Sequence, residues 1–259
     1  MMSDYNSIIR ARLKELHALV ANKQGVFWQR SKIRMALPIL PGIGQYIFDL
    51  KKESLANGMT DFVLKRDDII VPNGIGVFIN IYKMVNNTKV GQLYSFAPKN
   101  DGVNPSVFPV GFKTNNIENL YNGNMSWQVG STMAWENYAM ESFKKVFRQE
   151  GAFVLNSNDK AVQECIQPEF DITNMLEIVL AKYYIAGTQD HTITINFPAA
   201  GLDFTLCDEN GETDDYKAEL VLYYDVFKLK NGTKLIDLVS LGASDKNPLA
   251  VAAWSASNA

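Results

Sequence analysis

The sequence predicts an all-β protein, namely a jelly-roll-type antiparallel β-sandwich with an N-terminal amphipathic helical arm. Two observations predict this class. Five Asn-Gly steps lie between Asn57 and Gly232, and this dipeptide favours hairpin turns because both residues accept positive φ. After Gly25 the helical period is replaced by short apolar runs with turn residues between them. A compact tandem pair of β-sandwiches is the alternative arrangement of the same strands.

The first predicted element is a helix. Residues 3–6 offer N-caps, and apolar side chains then recur at helical spacing from Ile8 to Val20. One face of this helix must be buried against another surface. Because Arg12 intrudes on the apolar face, we expect the helix to lie on a surface or at a subunit contact.

Basic side chains concentrate in the first 35 residues. This segment has seven lysines and arginines against two carboxylates, whereas the whole chain has 25 against 28. The arginine fork suits phosphate geometry. We therefore predict a basic helical arm over residues 1–35 that contacts nucleic acid or an adjoining subunit through Arg10, Arg12, Lys14, Lys23, Arg30, Lys32 and Arg34. The alternative is a solvated amphipathic helix whose cations happen to cluster.

A stretch rich in proline and glycine, residues 38–44, joins the arm to the β-body. Proline removes a donor from a strand ladder and so interrupts any continuous strand. We place the β jelly-roll body at residues 36–240 and a weakly patterned C-terminal tail at residues 241–259.

Strand patterns of two kinds follow along the body. Residues 124–129 and 192–197 alternate apolar and polar side chains, which indicates strands with one wet face. Residues 76–84 and 218–227 are mostly apolar on both faces, so we expect them to be central or covered on both sides. The candidate strands are 44–50, 61–71, 76–85, 90–97, 106–113, 124–130, 151–155, 174–185, 191–197, 202–207 and 217–229. Residues 132–149 predict the one other helix, although their aromatic content leaves a strand open.

The sequence favours no catalytic chemistry. The only histidines are His17 and His191, and neither lies in a context typical of a nucleophile–base pair, so we interpret His191 as a turn or strand-end residue. The acidic residues between Asp208 and Asp215 have oxygen ligands that suit Ca²⁺, but a solvated hairpin loop is the favoured interpretation. We expect no enzyme, no cofactor and no metal. A hydrolase that uses two carboxylates is a third hypothesis, without a distinctive pair.

Several stretches resemble structural proteins of icosahedral bacteriophages that build their shell from jelly-roll subunits. These stretches are 61–71 leading to 77–79, 117–123 with 125–127, 176–180, and 187 running to 193–198. The resemblance implies a virion structural protein, above all the major capsid subunit, which self-assembles into a shell around the phage genome. Its implied partners are copies of itself, other virion proteins and, through the arm, packaged nucleic acid. The implied location is the virion, assembled in the host cytoplasm.

The alternative function is a carbohydrate-binding β-sandwich, such as an adhesion or receptor-binding module. Tryptophan faces stack on sugars, and the chain has Trp28, Trp127, Trp135 and Trp254 for such a face. The strict alternation around Trp127 predicts that this one packs in the core instead.

Overall fold

Two antiparallel sheets and an N-terminal helix form most of the described fold. The computed structural model describes residues 2–21, 25–50, 64–95, 110–112, 120–144, 152–155, 161–164, 176–179, 183–197, 206–208 and 216–234. The helix α1 spans Met2–Val20, and the strands are β1 (Phe27–Pro38), β2 (Gln45–Asp49), β3 (Ile69–Val85), β4 (Thr88–Tyr94), β5 (Val110–Phe112), β6 (Asn124–Val129), β7 (Thr132–Ala139), β8 (Ala152–Leu155), β9 (Ala161–Glu164), β10 (Glu177–Ile178), β11 (Ile185–Ala186), β12 (His191–Asn196), β13 (Leu206–Asp208) and β14 (Lys217–Lys230). A short 3-10 helix, Met140–Phe143, follows β7.

The strand order confirms the predicted all-β class with antiparallel pairing. The first sheet has the order β1-β14-β3-β10, and β4 and β11 also pair with β3. The second sheet has the order β2-β12-β6-β7, while β5 pairs with β13 and β8 with β9. Side chains from both main sheets, such as Ile79, Leu222, Trp127 and Ile193, pack into one apolar cluster. The described residues therefore form a single two-sheet sandwich.

The central strands β3 and β14 are covered on both faces, as predicted. One face of each contributes to the cluster between the sheets. The other face, which includes Phe78, Val221 and Phe227, belongs to a second apolar cluster with Ile9 and Leu16 of α1. The helix is thus a third layer on the outside of the first sheet, and its apolar face is buried against its own chain.

The helical arm predicted over residues 1–35 is wrong in its second half. The helix ends at Val20, and β1 pairs with β14 along its whole length, from Phe27 opposite Lys230 to Pro38 opposite Glu219. The cause is a period of two in the sequence. Ile33 and Met35 enter the core between the sheets, whereas the cations at alternate positions lie on the opposite face of the strand.

One of the five Asn-Gly steps, Asn73-Gly74, lies between the candidate strands 61–71 and 76–85, and the hairpin turn expected there is wrong, because β3 continues from residue 69 to residue 85. Asn73 is accommodated as a β-bulge: Asp225 lies opposite Gly74 and Val226 opposite Pro72, so Asn73 is the extra residue. The β3–β4 hairpin turns instead at Asn86 and Asn87, both with positive φ. The β6–β7 hairpin turns at Gly130 and Ser131.

The second predicted helix, over 132–149, is wrong for its first part, which is strand β7 and then the 3-10 helix. Asn137 has a positive φ, and irregular register with β6 lets Trp135 and Tyr138 both pack against the core despite their odd spacing.

In the predicted strand 174–185, the described residues contain only β10 and the first residue of β11. The tail 241–259 lies outside the described residues. No helix in the described part of the chain is long and apolar enough to cross a membrane.

Candidate contact surfaces

The predicted cations of the helix occupy two different environments. Arg10 and Lys14 are exposed, while Arg12 between them in sequence is only 4% exposed. Lys23 lies outside the described residues. Of the three predicted cations of α1, two therefore face solvent and the third is buried.

Arg12 joins α1 to the bulge in β3 and to the end of β10. Its Nη1 donates to the carbonyl oxygen of Pro72 at 2.8 Å and to Oδ1 of Asn73 at 3.0 Å. Its Nη2 donates to the carbonyl oxygen of Val179, whose own backbone N–H donates to the carbonyl oxygen of Asn73. A buried guanidinium that satisfies carbonyl groups around a bulge is a structural cross-link, so Arg12 is not placed to meet a phosphate.

The three predicted cations of β1 form a row on the helix-bearing face of the first sheet. Arg30 makes a bidentate ion pair with Asp225, with Nε–Oδ1 and Nη2–Oδ2 distances of 2.9 and 2.8 Å. Lys32 is exposed. Arg34 lies 3.9 Å from Glu219, at the limit of an ion pair, and its side chain remains 34% exposed. Alternate residues on a strand are about 7 Å apart, so the row is evenly spaced.

Two buried carboxylates on β14, Asp225 and Glu219, lie beside the two arginines of this row, and the sequence analysis singled out neither. Glu219 receives Lys89 Nζ at 2.6 Å and Asn80 Nδ2 at 3.2 Å, and it is only 1% exposed. Burial, together with the charge and hydrogen bonding of Glu219, raises the pKa of nearby Tyr82 to about 12. The signal in the sequence was a pair of isolated acids in an otherwise apolar run, which in a buried strand must find cationic partners.

Exposed apolar side chains concentrate at one end of the sandwich, which we call the hairpin end. Five large apolar residues there are 40–52% exposed: Leu40, Ile43, Met84, Val85 and Val90. The first two belong to the β1–β2 connection, and the other three belong to the β3–β4 hairpin. The remaining exposed large apolar side chains of the described residues are Phe27 at the start of β1, Ile47 within β2 and Met133 in β7.

The strand register shows why these two segments share an end. Pro38 of β1 lies opposite Glu219, and Tyr82 of β3 lies opposite Lys217, so both strands leave the sheet at the start of β14. The backbone N–H of Ile39 donates to the carbonyl oxygen of Ala218, which ties the connection to that end. The strand order places β1 and β4 three strand spacings apart, or about 14 Å.

His191 begins β12, as the strand-end interpretation predicted, and it is buried in the core. The indole Nε1–H of Trp127 donates to His191 Nε2 at 2.9 Å, and the hydroxyl of Tyr224 lies 3.3 Å from the same nitrogen. Burial lowers the pKa of His191 to about 4, against the smaller opposing effect of the Asp49 charge. The imidazole is therefore a neutral acceptor inside the core.

The tryptophans considered for sugar stacking are engaged with other rings. Trp127 is fully buried, as predicted, and forms an edge contact with Trp135, which in turn stacks on Tyr138 at 4.5 Å between ring centroids. Trp28 lies between His17 and Phe227. Trp254 lies outside the described residues.

The acidic loop considered for Ca²⁺ lies almost wholly outside the described residues, which include only Asp208, at the end of β13. Among the residues that the structure describes, no three His, Cys, Asp or Glu side chains gather closely enough to hold a metal ion.

Comparison with known proteins adds no relative. No family model, no curated protein and no solved structure matches this chain.

Proposed function

We propose that this chain is a self-assembling structural subunit of a virion, in the first place a capsid subunit, and that copies contact one another through the hairpin end. The observation that carries the proposal is the concentration of five exposed apolar side chains at that end. Single exposed apolar residues are ordinary on a protein surface, but a group of them at one place is typical of an interaction site.

The fold supports the proposal in a second way. A shell subunit needs a rigid body that carries its contact segments, and here the body is a sandwich covered by a helix on one side. The contact segments are a hairpin tip and a strand connection, which protrude from sheet ends instead of filling the core. Symmetry repeats such a contact at every subunit, so its contribution adds up over the whole assembly.

The experiment compares two double variants of the full chain. Leu40→Lys with Val90→Lys places two charges at the hairpin end. Phe27→Lys with Met133→Lys makes the same change at two exposed apolar positions elsewhere, and serves as the matched control. Each protein is studied over a concentration series by size-exclusion chromatography with light scattering, and by negative-stain microscopy, in the absence of nucleic acid.

We expect the unmodified chain and the control to associate with rising concentration, and the hairpin-end variant to remain smaller, because burying a lysine charge in a contact is unfavourable. Closed particles in the micrographs would support a shell subunit specifically. A chain that stays monomeric at its highest soluble concentration would contradict self-assembly. Equal association of the two variants would contradict the hairpin end as the contact.

A further inference from the structure

Charge is distributed unequally between the layers of the sandwich. The helix and the strands of the first sheet contain eleven basic and five acidic side chains. The strands of the second sheet contain no lysine or arginine and two carboxylates, Asp49 and Glu136. In a chain with a formal net charge of −3, the helix and the first sheet therefore have an excess of cations that the second sheet lacks.

The cations that face solvent on this side come from two elements. Arg10 and Lys14 lie on the exposed side of α1, and Lys32 and Arg34 lie on β1. The helix crosses the first sheet from Arg12, which is bound at the bulge of β3, to His17, which contacts Trp28 of β1. The four cations thus share one side of the molecule.

From this arrangement we propose that the helix-bearing face of the first sheet, through Arg10, Lys14, Lys32 and Arg34, binds the phosphate backbone of nucleic acid without base specificity. The proposal differs from a basic arm in two respects. Arg12 is excluded because it is buried, and Arg30 because Asp225 engages both its Nε and its Nη2, at 2.9 and 2.8 Å, whereas Arg34 lies 3.9 Å from Glu219. The binding surface is also a rigid face of the sandwich, not an extended segment.

An anionic membrane is the other polyanion to consider, and the structure disfavours it. An amphipathic helix binds a membrane surface by burying its apolar face among the lipids. In α1 that face, which includes Ile9 and Leu16, is already packed against the first sheet. Among the α1 side chains whose exposure the structure describes, the exposed ones are polar, charged or alanine, so they form no stripe of large apolar residues that could enter the lipids.

The number of participating cations sets the salt dependence of binding. Each neutralised phosphate contributes about −0.7 to the slope of log affinity against log salt for a single strand. Four cations therefore give a slope of about −3, whereas all seven predicted arm cations would give about −5. The slope distinguishes the composite face from a fully basic arm.

The test measures binding of a fluorescent oligothymidine strand by fluorescence anisotropy over a salt series. The chain is kept at concentrations where light scattering shows no association, so that a failure here is distinguishable from a failure of self-assembly. Arg10→Gln with Lys32→Gln removes two cations of the face. Lys65→Gln with Arg66→Gln removes an exposed lysine and arginine from the turn before β3, and is the control of equal charge.

We expect a slope of about −3 for the unmodified chain and the control, and about half that for the Arg10/Lys32 variant, with its affinity loss largest at low salt. A slope near zero would overturn the proposal, as would equal losses in the two variants. Vesicles of anionic phospholipid are a parallel probe. Binding to these vesicles without binding to the oligonucleotide would assign the face to a membrane instead.

Discussion

Replacing His191 by glutamine should remove much of the acid sensitivity of the fold. The imidazole is completely buried, and its Nε2 accepts a hydrogen bond from the indole N–H of Trp127. Indole nitrogen only donates, so the neutral tautomer carries its proton on Nδ1. A second proton would have to sit on Nε2, where it would face a donor and leave a charge in an apolar core.

The sign and size of the change in the free energy of unfolding with pH follow from the pKa of His191, which is about 4 in the folded protein against an ordinary value of 6.5. Because the folded-state pKa is lowered, the unfolded chain binds the proton first as the pH falls. The contribution of His191 to the free energy of unfolding is therefore fully present above about pH 6.5, and it is lost as the pH falls from 6.5 to 4. One pKa unit corresponds to about 1.4 kcal/mol, so the loss amounts to about 2 kcal/mol by pH 5 and about 3 kcal/mol below pH 4.

The assay is urea unfolding followed by tryptophan fluorescence at a series of pH values between 7.5 and 4. The quantity compared is the free energy of unfolding of the unmodified chain minus that of His191→Gln, which isolates this group from the carboxylates. His17→Gln removes the other histidine of the chain from an exposed position, and should keep the acid-side fall.

Curves that fall in parallel for the unmodified chain and His191→Gln would refute the reasoning. Should the variant not fold, proton-detected NMR of the unmodified chain gives a second measurement, since only two histidine signals need assignment. A His191 signal that titrates with a midpoint near 6.5 would refute it equally.

Two further substitutions test packing. Arg12→Met should lower the free energy of unfolding by about 3 kcal/mol, because three buried acceptors lose their donor, whereas Lys14→Met on the same helix should change it by less than about 0.5 kcal/mol. Similar losses in a urea titration would contradict the cross-link. Gly91→Ala should cost about 2 kcal/mol, since a Cβ there would lie 2.1 Å from the carbonyl oxygen of Ile81 and 2.5 Å from Cα of Tyr82. A neutral result in the same titration would show that β3 and β4 separate at no cost.

The parts of the fold that the sequence predicted are those where a side-chain pattern has a single physical cause. The alternation in β6 and β12 indicates one buried face, and both strands occur where predicted. The apolar runs of β3 and β14 indicate two buried faces, and the helix and the second sheet cover them. In each case the strand's own residues determine which faces are buried, so the local sequence pattern is sufficient to predict the strand.

The missed elements depend on partners that are distant in sequence. In the sequence, β1 has the pattern of a basic segment. In the structure it pairs with β14, and its arginines lie beside carboxylates almost two hundred residues away along the chain. Asn73-Gly74 has the composition of a hairpin turn, yet Arg12 and the backbone of Val179 satisfy the polar groups of a bulge there. Turn chemistry alone could not distinguish these outcomes.

The same dependence applies to the candidate binding face. Sequence locates seven cations near the N-terminus, but it treats Arg10 and Arg12 alike, although one is exposed and the other is buried. The surface on which these cations lie is known only once the strand order is known. That order places the cations of β1 and β4 in the first sheet, and the strands of the second sheet have none. Whether a cation is available to a phosphate therefore depends on its exposure and on how close a carboxylate lies to it, and not on its place in a basic stretch of sequence. It follows that Lys32, which lies between Arg30 in its bidentate pair with Asp225 and Arg34 at 3.9 Å from Glu219, is the position of β1 at which the loss of one charge should weaken nucleic-acid binding most and fold stability least.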